Sequence, residues 1–448
     1  MLSRRRFLQL GASLGLVAGF AKLQKLQAAP VQDYKALVCL FLFGGNDGHN
    51  LIVPLTGGQY GAYQSARGAL ALSPAQLLGI TDPTLGAFGL HYALPELQAL
   101  FNRGKLAVLA NVGVLVRPTT YRALSDPAFP LPTNLRSHAD QVVLMQTGYP
   151  NAGGSSGWGG RTLDQLQAYN ANTTFPIAVA LNSPAIYCVG AVTQGVSLQP
   201  GNDLDQDAFG IYPPAAAQAR AAAQRQIVTA ASGNAIIDAA NKVMAGALTL
   251  NPLLRSAAGG AVFPKAFPTS PIGEQLQEIA RVISLNLQLG VGRQVFFCSL
   301  GGFDTHGGQS YDQWSLLQQV SQALDAFYAA TVQLGVGSQV TAFTLSDFGR
   351  TLQPSGSGSD HGWGNHHLIV GDAVKGGRIY GRFPLMTNYA SFNASVDDYA
   401  DARGVMLPGV SLAQYGATLA RWFGAADADL DGIFPTLTNF GSRDLGFV

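Results

Sequence analysis

At 448 residues and 47% hydrophobic content, the chain can bury one large core or two moderate ones, which excludes a disordered polypeptide. Charged residues make up 12% and glycines number 54, so polar loops rather than salt-bridged helices form much of the surface, and such loops can carry sites. The formal charge of +1 rests on the first 29 residues, which hold Arg4, Arg5, Arg6, Lys22 and Lys25 and no acid. The remainder carries 22 basic against 26 acidic residues, a balance that argues against nucleic acid as a partner, because such binding is dominated by phosphate neutralisation.

Residues 3–30 (SRRRFLQLGASLGLVAGFAKLQKLQAAP) join an arginine pair to a short Gly/Ala-rich apolar run. This resembles a twin-arginine export signal. The run over 8–21 is too short and too glycine-rich for a membrane span, and Ala28 and Ala29 offer small residues for cleavage. The resemblance implies the twin-arginine export machinery as a partner, a signal peptide over 1–29, a periplasmic or extracytoplasmic location, and no stable span in the mature form. The competing reading is an uncleaved amphipathic anchor. Cys39, Cys188 and Cys298 are odd in number and far apart, so no disulfide framework is expected.

Residues 36–43 (ALVCLFLF) read as a central parallel strand, apolar on both faces, ending in the Gly-rich turn 44–50 that carries Asp47. A helix over 94–101 and a strand over 106–112 follow, and His91 is expected to open that helix. Residues 117–134 are Pro-rich and irregular. Ser137 reads as the N-cap of a helix ending at Thr147-Gly148, and a loop over 153–163 enters another helix with Arg161 available to an anion. A short strand is expected at 177–181 and helices at 215–231 and 235–244, with 182–267 as a helical insertion in a single α/β domain spanning 30–448. An amphipathic helix over 274–289 leads to a strand over 293–300, a helix over 311–333 to a strand over 340–345, and a helix over 412–423 closes the chain. Alternating strands and helices predict a three-layer α/β sandwich with a mostly parallel central sheet.

Three of the strands end in polar clusters. Asp47 follows the first, Asp304 and His306 follow 293–300, and Asp347 follows 340–345, trailed by Arg350, Asp360, His361, His366 and His367. Carboxylates and neutral imidazoles at neighbouring strand ends are the donor set for one or two divalent ions. The imidazole share suits Zn or Mn, while the carboxylates keep Ca or Mg open. Ser137 is the best-placed hydroxyl for nucleophilic chemistry, although a helix cap alone explains it equally well. His138 beside it reads as acid, base, ligand or bystander, and Arg350 reads as an anion clamp or loop brace.

The segments FLFGGNDGHN, SHADQ with its downstream QTG, GWGGR, GGFDTH, SDFGRT, DHGWGNHH and QYGATLARWFG together resemble, along nearly the whole chain, the bacterial domain-of-unknown-function family 1501. That resemblance implies an alkaline phosphatase-like fold of the phosphatase and sulfatase superfamily. It implies metal roles for Asp47, Asp304, His306 and Asp347, and a nucleophile position at Ser137. The chain departs from the superfamily pattern at Phe348, where a second ligand is expected beside Asp347, and it lacks the sulfatase Cys-x-Pro-x-Arg motif. The expected function is an exported metal-dependent hydrolase of small phosphate or sulfate esters. Its alternative is a non-catalytic exported protein that binds carbohydrate or a secreted partner, with a structural metal.

Overall fold

The computed structural model describes residues 33–448 except 152, 172, 174, 202–213, 231, 235–236, 238–240, 242–261 and 391–396. The expected signal peptide, 1–29, lies outside the described residues. The strands in chain order are β1 (Lys35–Leu42), β2 (Ile52–Pro54), β3 (Leu77–Asp82), β4 (Gly86–His91), β5 (Leu106–Gly113), β6 (Ala178–Leu181) and β7 (Val196–Leu198). They continue with β8 (Arg293–Leu300), β9 (Val340–Ser346), β10 (Arg350–Ser355), β11 (Gly358–His361), β12 (Asn365–Val370), β13 (Arg378–Gly381) and β14 (Val410–Ser411).

Among the described residues, nine strands form one sheet in the order β13-β5-β12-β9-β1-β8-β6-β7, with β14 also on β5. The pairs of β1 with β8 and β9 are parallel, as are those of β6 with β7 and β8 and of β5 with β13 and β14. Only β12 runs against its neighbours β5 and β9. The carboxyl ends of β1, β5, β8 and β9 therefore share an edge with the amino end of β12. This edge is where an open α/β sheet gathers ligand-binding loops.

The sheet is covered on both sides. Alternate residues of β1 enter opposite cores: Ala36, Val38 and Leu40 on one face, Leu37, Cys39 and Phe41 on the other. The longer helices in chain order are α1 (Gln59–Arg67), α2 (Pro95–Asn102), α3 (His138–Thr147), α4 (Trp158–Gln165), α5 (Pro214–Thr229), α6 (Pro271–Ser284), α7 (Gln309–Gln333) and α8 (Leu412–Phe423). Leu97 of α2, Ile279 of α6 and Leu324 of α7 pack into the first core, and Leu144 of α3, Trp158 of α4 and Leu419 of α8 into the second. This is the expected three-layer α/β arrangement with a mostly parallel sheet.

Several local expectations change. His91 ends β4 instead of opening a helix, and its Nδ1 accepts the Ala93 N–H at 3.1 Å. The helix expected over 274–289 breaks after Ser284, whose hydroxyl donates to the Arg281 carbonyl at 2.6 Å, and a separate turn covers Asn286–Leu289. The expected insertion over 182–267 lies partly outside the described residues, as does most of the helix expected at 235–244; within the described part, β7 belongs to the sheet edge and α5 is helical. The polar stretch that follows the strand expected over 340–345 forms a hairpin of β10 and β11 and then the start of β12. The three cysteines are free and buried.

Candidate metal centre

Each strand-end loop is shaped by a close backbone approach. Gly44 follows β1 at φ 112°, and a Cβ there would lie 2.3 Å from the Asp304 backbone nitrogen, so only glycine lets the loops after β1 and β8 touch. Its N–H donates to Asp347 Oδ1 at 3.1 Å, which ties in the end of β9 as well. Arg350 locks the same three segments from below. Its Nε donates to the carbonyls of Gly45 (2.9 Å) and Phe303 (3.2 Å), Nη1 to that of Ser359, and Nη2 to Gly44 O (2.7 Å) and to Asp304. Arg350 is therefore buried and saturated with protein acceptors, so it braces loops instead of offering an anion clamp.

Above this brace, His138, Asp304 and His361 bring one ligand atom each to within 4.8 Å of one another. His138 Nε2 lies 3.1 Å from His361 Nε2 and 3.3 Å from Asp304 Oδ1, and His361 Nε2 lies 3.3 Å from that same oxygen. His306 Nε2 adjoins two of them, at 2.9 Å from His361 Nε2 and 3.0 Å from Asp304 Oδ1. The side chains stay open to solvent, with Asp304 48% and His138 31% exposed.

The outer nitrogens of these rings are committed. His138 Nδ1 meets Asp347 Oδ2 at 2.6 Å, and His361 Nδ1 meets the Arg136 carbonyl at 2.8 Å. Both acceptors call for an N–H at Nδ1, which in a neutral imidazole leaves the lone pair on Nε2. His306 Nδ1 faces Asp360 Oδ1 at a longer 3.4 Å. The Nε2 lone pairs of His138 and His361 thus face each other and Asp304 Oδ1, which also receives the Arg350 Nη2–H, and a proton or a metal ion shared among the three would relieve their mutual repulsion. Ligand bonds of about 2.0–2.1 Å in a tetrahedron place ligand atoms about 3.3 Å apart, so the triangle of 3.1–3.3 Å fits a zinc-sized ion, and carboxylate-to-histidine bonds of this kind orient metal ligands. Hydrogen bonding to Asp347 raises the His138 pKa, whereas burial lowers that of His361. Burial works to raise the Asp304 pKa, but the Arg350 hydrogen bond and charge outweigh it and hold the carboxyl below its ordinary value.

The residues expected from sequence divide accordingly. Asp304, His306 and His361 come together, with Asp347 and Asp360 behind the imidazoles. His138 joins them as a fourth member, in a ligand's place. Asp47 is engaged elsewhere, N-capping the short turn Gly48–Leu51 and contacting Gln309 and Arg67. His366 is buried against Phe383 at 4.7 Å, its Nδ1 accepting the Asn111 N–H at 3.0 Å; burial lowers its pKa well below the ordinary value. His367 is likewise buried, stacked on Tyr415. Ser137 caps α3 as expected: its Oγ donates to Asp140 Oδ2 at 2.6 Å and accepts the Asp140 N–H at 3.4 Å. Arg161 does not await an anion, because Ser156, Thr147 and Ile433 carbonyls take its guanidinium.

Phe348 fills the position where a ligand was expected. Its ring lies 4.7 Å from that of His138 and 4.8 Å from that of His361, so it packs behind the imidazoles. Sequence reasoning missed Arg67 and the Arg136 carbonyl. Arg67 ends an ordinary-looking helix, and a backbone carbonyl carries no residue signature.

Fold and site together define a three-layer α/β protein with a solvent-open His/Asp cluster at the carboxyl ends of its parallel strands. The chain belongs to the family described as Protein of unknown function (DUF1501), which residues 34–429 match. No curated protein matches it. Among solved structures, it is similar to Ps i-CgsB in complex with k-i-k-neocarrahexaose, at 11% identity over 91% of this chain and 77% of that one, with a TM-score of 0.34. It is also similar to the PsFucS1 sulfatase from Pseudoalteromonas sp. (10% identity, 95% and 72% of the two chains, TM-score 0.34). A third similarity is to the C-terminal periplasmic domain of EcEptC from Escherichia coli in complex with Zn (10% identity, 90% and 85%, TM-score 0.31). At these identities and scores the likenesses bear on neither activity nor ligand. No helix among the described residues is long and apolar enough to cross a membrane.

Proposed function

We propose that the chain is an exported, metal-dependent hydrolase of small phosphate or sulfate esters. The observation that carries this reading is the convergence of lone pairs from His138, Asp304 and His361 at a solvent-open strand edge. The cluster is open on one side, with Asp304 48% and His306 47% exposed, so an ion there would keep a face for water or substrate, as a catalytic ion requires. A divalent ion there would neutralise charge on the non-bridging oxygens of a bound ester. Zn or Mn suits the imidazole-rich set.

Ser137 is the proposed nucleophile. It precedes the ligand His138, and its hydroxyl already donates to Asp140, which also receives the Asn134 amide at 3.2 Å. Attack by Oγ on phosphorus or sulfur would pass the hydroxyl proton to Asp140, break the bond from phosphorus or sulfur to the leaving oxygen, and leave a serine ester, while the departing alkoxide takes a proton from solvent. Water then cleaves that ester to restore the serine. Export follows from the arginine-pair leader and stands with it.

The second reading, an exported binding protein with a structural metal, draws on the saturation of Arg350 and the cap geometry of Ser137. The deciding assay uses zinc- or manganese-loaded protein with aryl phosphate and aryl sulfate esters. Hydrolysis reduced at least about 100-fold by both Ser137→Ala and Asp304→Ala supports the first reading. A folded, metal-loaded protein that cleaves neither ester class supports the second.

A further inference from the structure

The strand-end aspartates Asp47 and Asp304 each meet a buried guanidinium. Arg350 reaches Asp304, as described. At Asp47, Oδ1 accepts the His49 N–H at 3.0 Å, while Oδ2 takes the Gln309 amide and the Arg67 guanidinium. Neither partner of this ion pair is exposed beyond 1%. Arg67 is not a side chain that has swung in from the surface. Its Nε donates to Asn50 Oδ1 at 3.1 Å, and its Nη1 to the carbonyls of Thr351 and Leu352 at 2.8 and 3.0 Å. Thus α1, the turn after β1 and the strand β10 fix one cation against one carboxylate.

A divalent ion on Asp47 Oδ2 would take the place of Arg67 and leave a guanidinium buried without its counter-charge, and breaking such a pair is strongly destabilising. An ion on Oδ1 would share one fully buried carboxylate with that like charge. Such an ion would also lack a ready ligand set. The buried nitrogens His49 Nδ1 and His366 Nε2 have no hydrogen-bond partner, yet the ligand cluster identified among the described residues is that of His138, Asp304 and His361.

We infer that this site holds a single divalent ion, and that the Arg67 guanidinium supplies the second positive charge, at Asp47. The inference rests on the metal-binding half of the proposed function and not on catalysis. The expectation that Asp47 ligates a metal is replaced by a carboxylate that fixes a protein cation.

The test counts ions. Full-length protein is stripped with a chelator, incubated with excess zinc, desalted and measured for metal by mass spectrometry, alongside His361→Ala and the double variant Asp47→Asn/Arg67→Met. The double variant removes both charges, because Asp47→Asn alone strands the guanidinium and risks unfolding. Circular dichroism melting confirms that each variant is folded. One ion per chain in both wild type and double variant, and its loss in His361→Ala, is the expected result. Two ions in the wild type, falling to one in the folded double variant, would overturn the inference. No ion in folded wild type would overturn it as well, by removing the metal that Arg67 is said to accompany. Ester hydrolysis is not read, so a failed hydrolase reading leaves the ion count untouched.

Discussion

The carbonyl of Arg136 accepts the Nδ1–H of His361 at 2.8 Å, and Arg136 adopts φ 75° in the turn that presents it. A non-glycine residue in this left-handed region carries strain of about 1–3 kcal/mol, which the surrounding contacts must hold in place. One turn thereby serves two ends: it fixes the imidazole tautomer and leads directly into Ser137 at the cap of α3. Arg136→Gly should keep zinc affinity within about 3-fold, because glycine adopts this φ freely and keeps the carbonyl. Arg136→Val should weaken it about 10-fold, the usual effect of disturbing a ligand's supporting hydrogen bond. Competition titration with a zinc indicator measures both, and imidazole nitrogen NMR shifts should report loss of the fixed His361 tautomer only in the valine variant.

Asp347 is 2% exposed and divides its oxygens between the Gly44 N–H and His138 Nδ1. Replacement by asparagine keeps the shape but removes the charge that holds the proton on Nδ1 and makes the Nε2 lone pair a better donor. Zinc affinity of Asp347→Asn should fall roughly 10- to 100-fold while the melting temperature changes little. An unchanged affinity would remove Asp347 from the metal's supporting shell.

Arg350 satisfies its donors with four carbonyls and one carboxylate, all from segments that meet beneath the cluster. Lysine offers a compact ammonium with no planar fork, so it cannot span them. Arg350→Lys should lower unfolding free energy by about 3 kcal/mol in urea titrations, within the range for disrupting a buried ionic network.

Acid should destabilise the fold through histidines outside the cluster. Burial depresses the pKa of both His91 and His367 to about 3. Between that value and the unfolded value of about 6.5, the unfolded chain binds protons that the folded chain does not. Their contribution is therefore complete above about pH 6.5 and is lost as the pH falls toward 3. Neither ring nitrogen of His367 has a hydrogen-bond partner. His367→Leu should flatten the acid limb of a stability-versus-pH curve recorded by chemical denaturation; an equally steep limb would acquit this histidine.

The sequence alone determined the strands β1, β5, β8 and β9, because a strand buried on both faces draws most of its residues from apolar types, and a run such as 36–43 has few other solutions. It also determined the cap at Ser137, the stop at Gly148, and the placement of polar clusters beyond the strand ends, all of which are local chemistry. Tertiary structure alone decided which polar residues share a site. The reversal of β12 carries His366 and His367 into the sheet, where burial keeps them neutral, and leaves His361 on the hairpin that precedes it. Phe348, set where a ligand was expected, became the surface against which His138 and His361 are arranged. The fate of Asp47 was the least legible, because it turns on Arg67, twenty residues later, whose sequence context is that of any arginine ending a helix. Spacing along the chain can place a carboxylate at a strand end, but only the packed fold decides whether the cation that reaches it is a metal ion or a guanidinium.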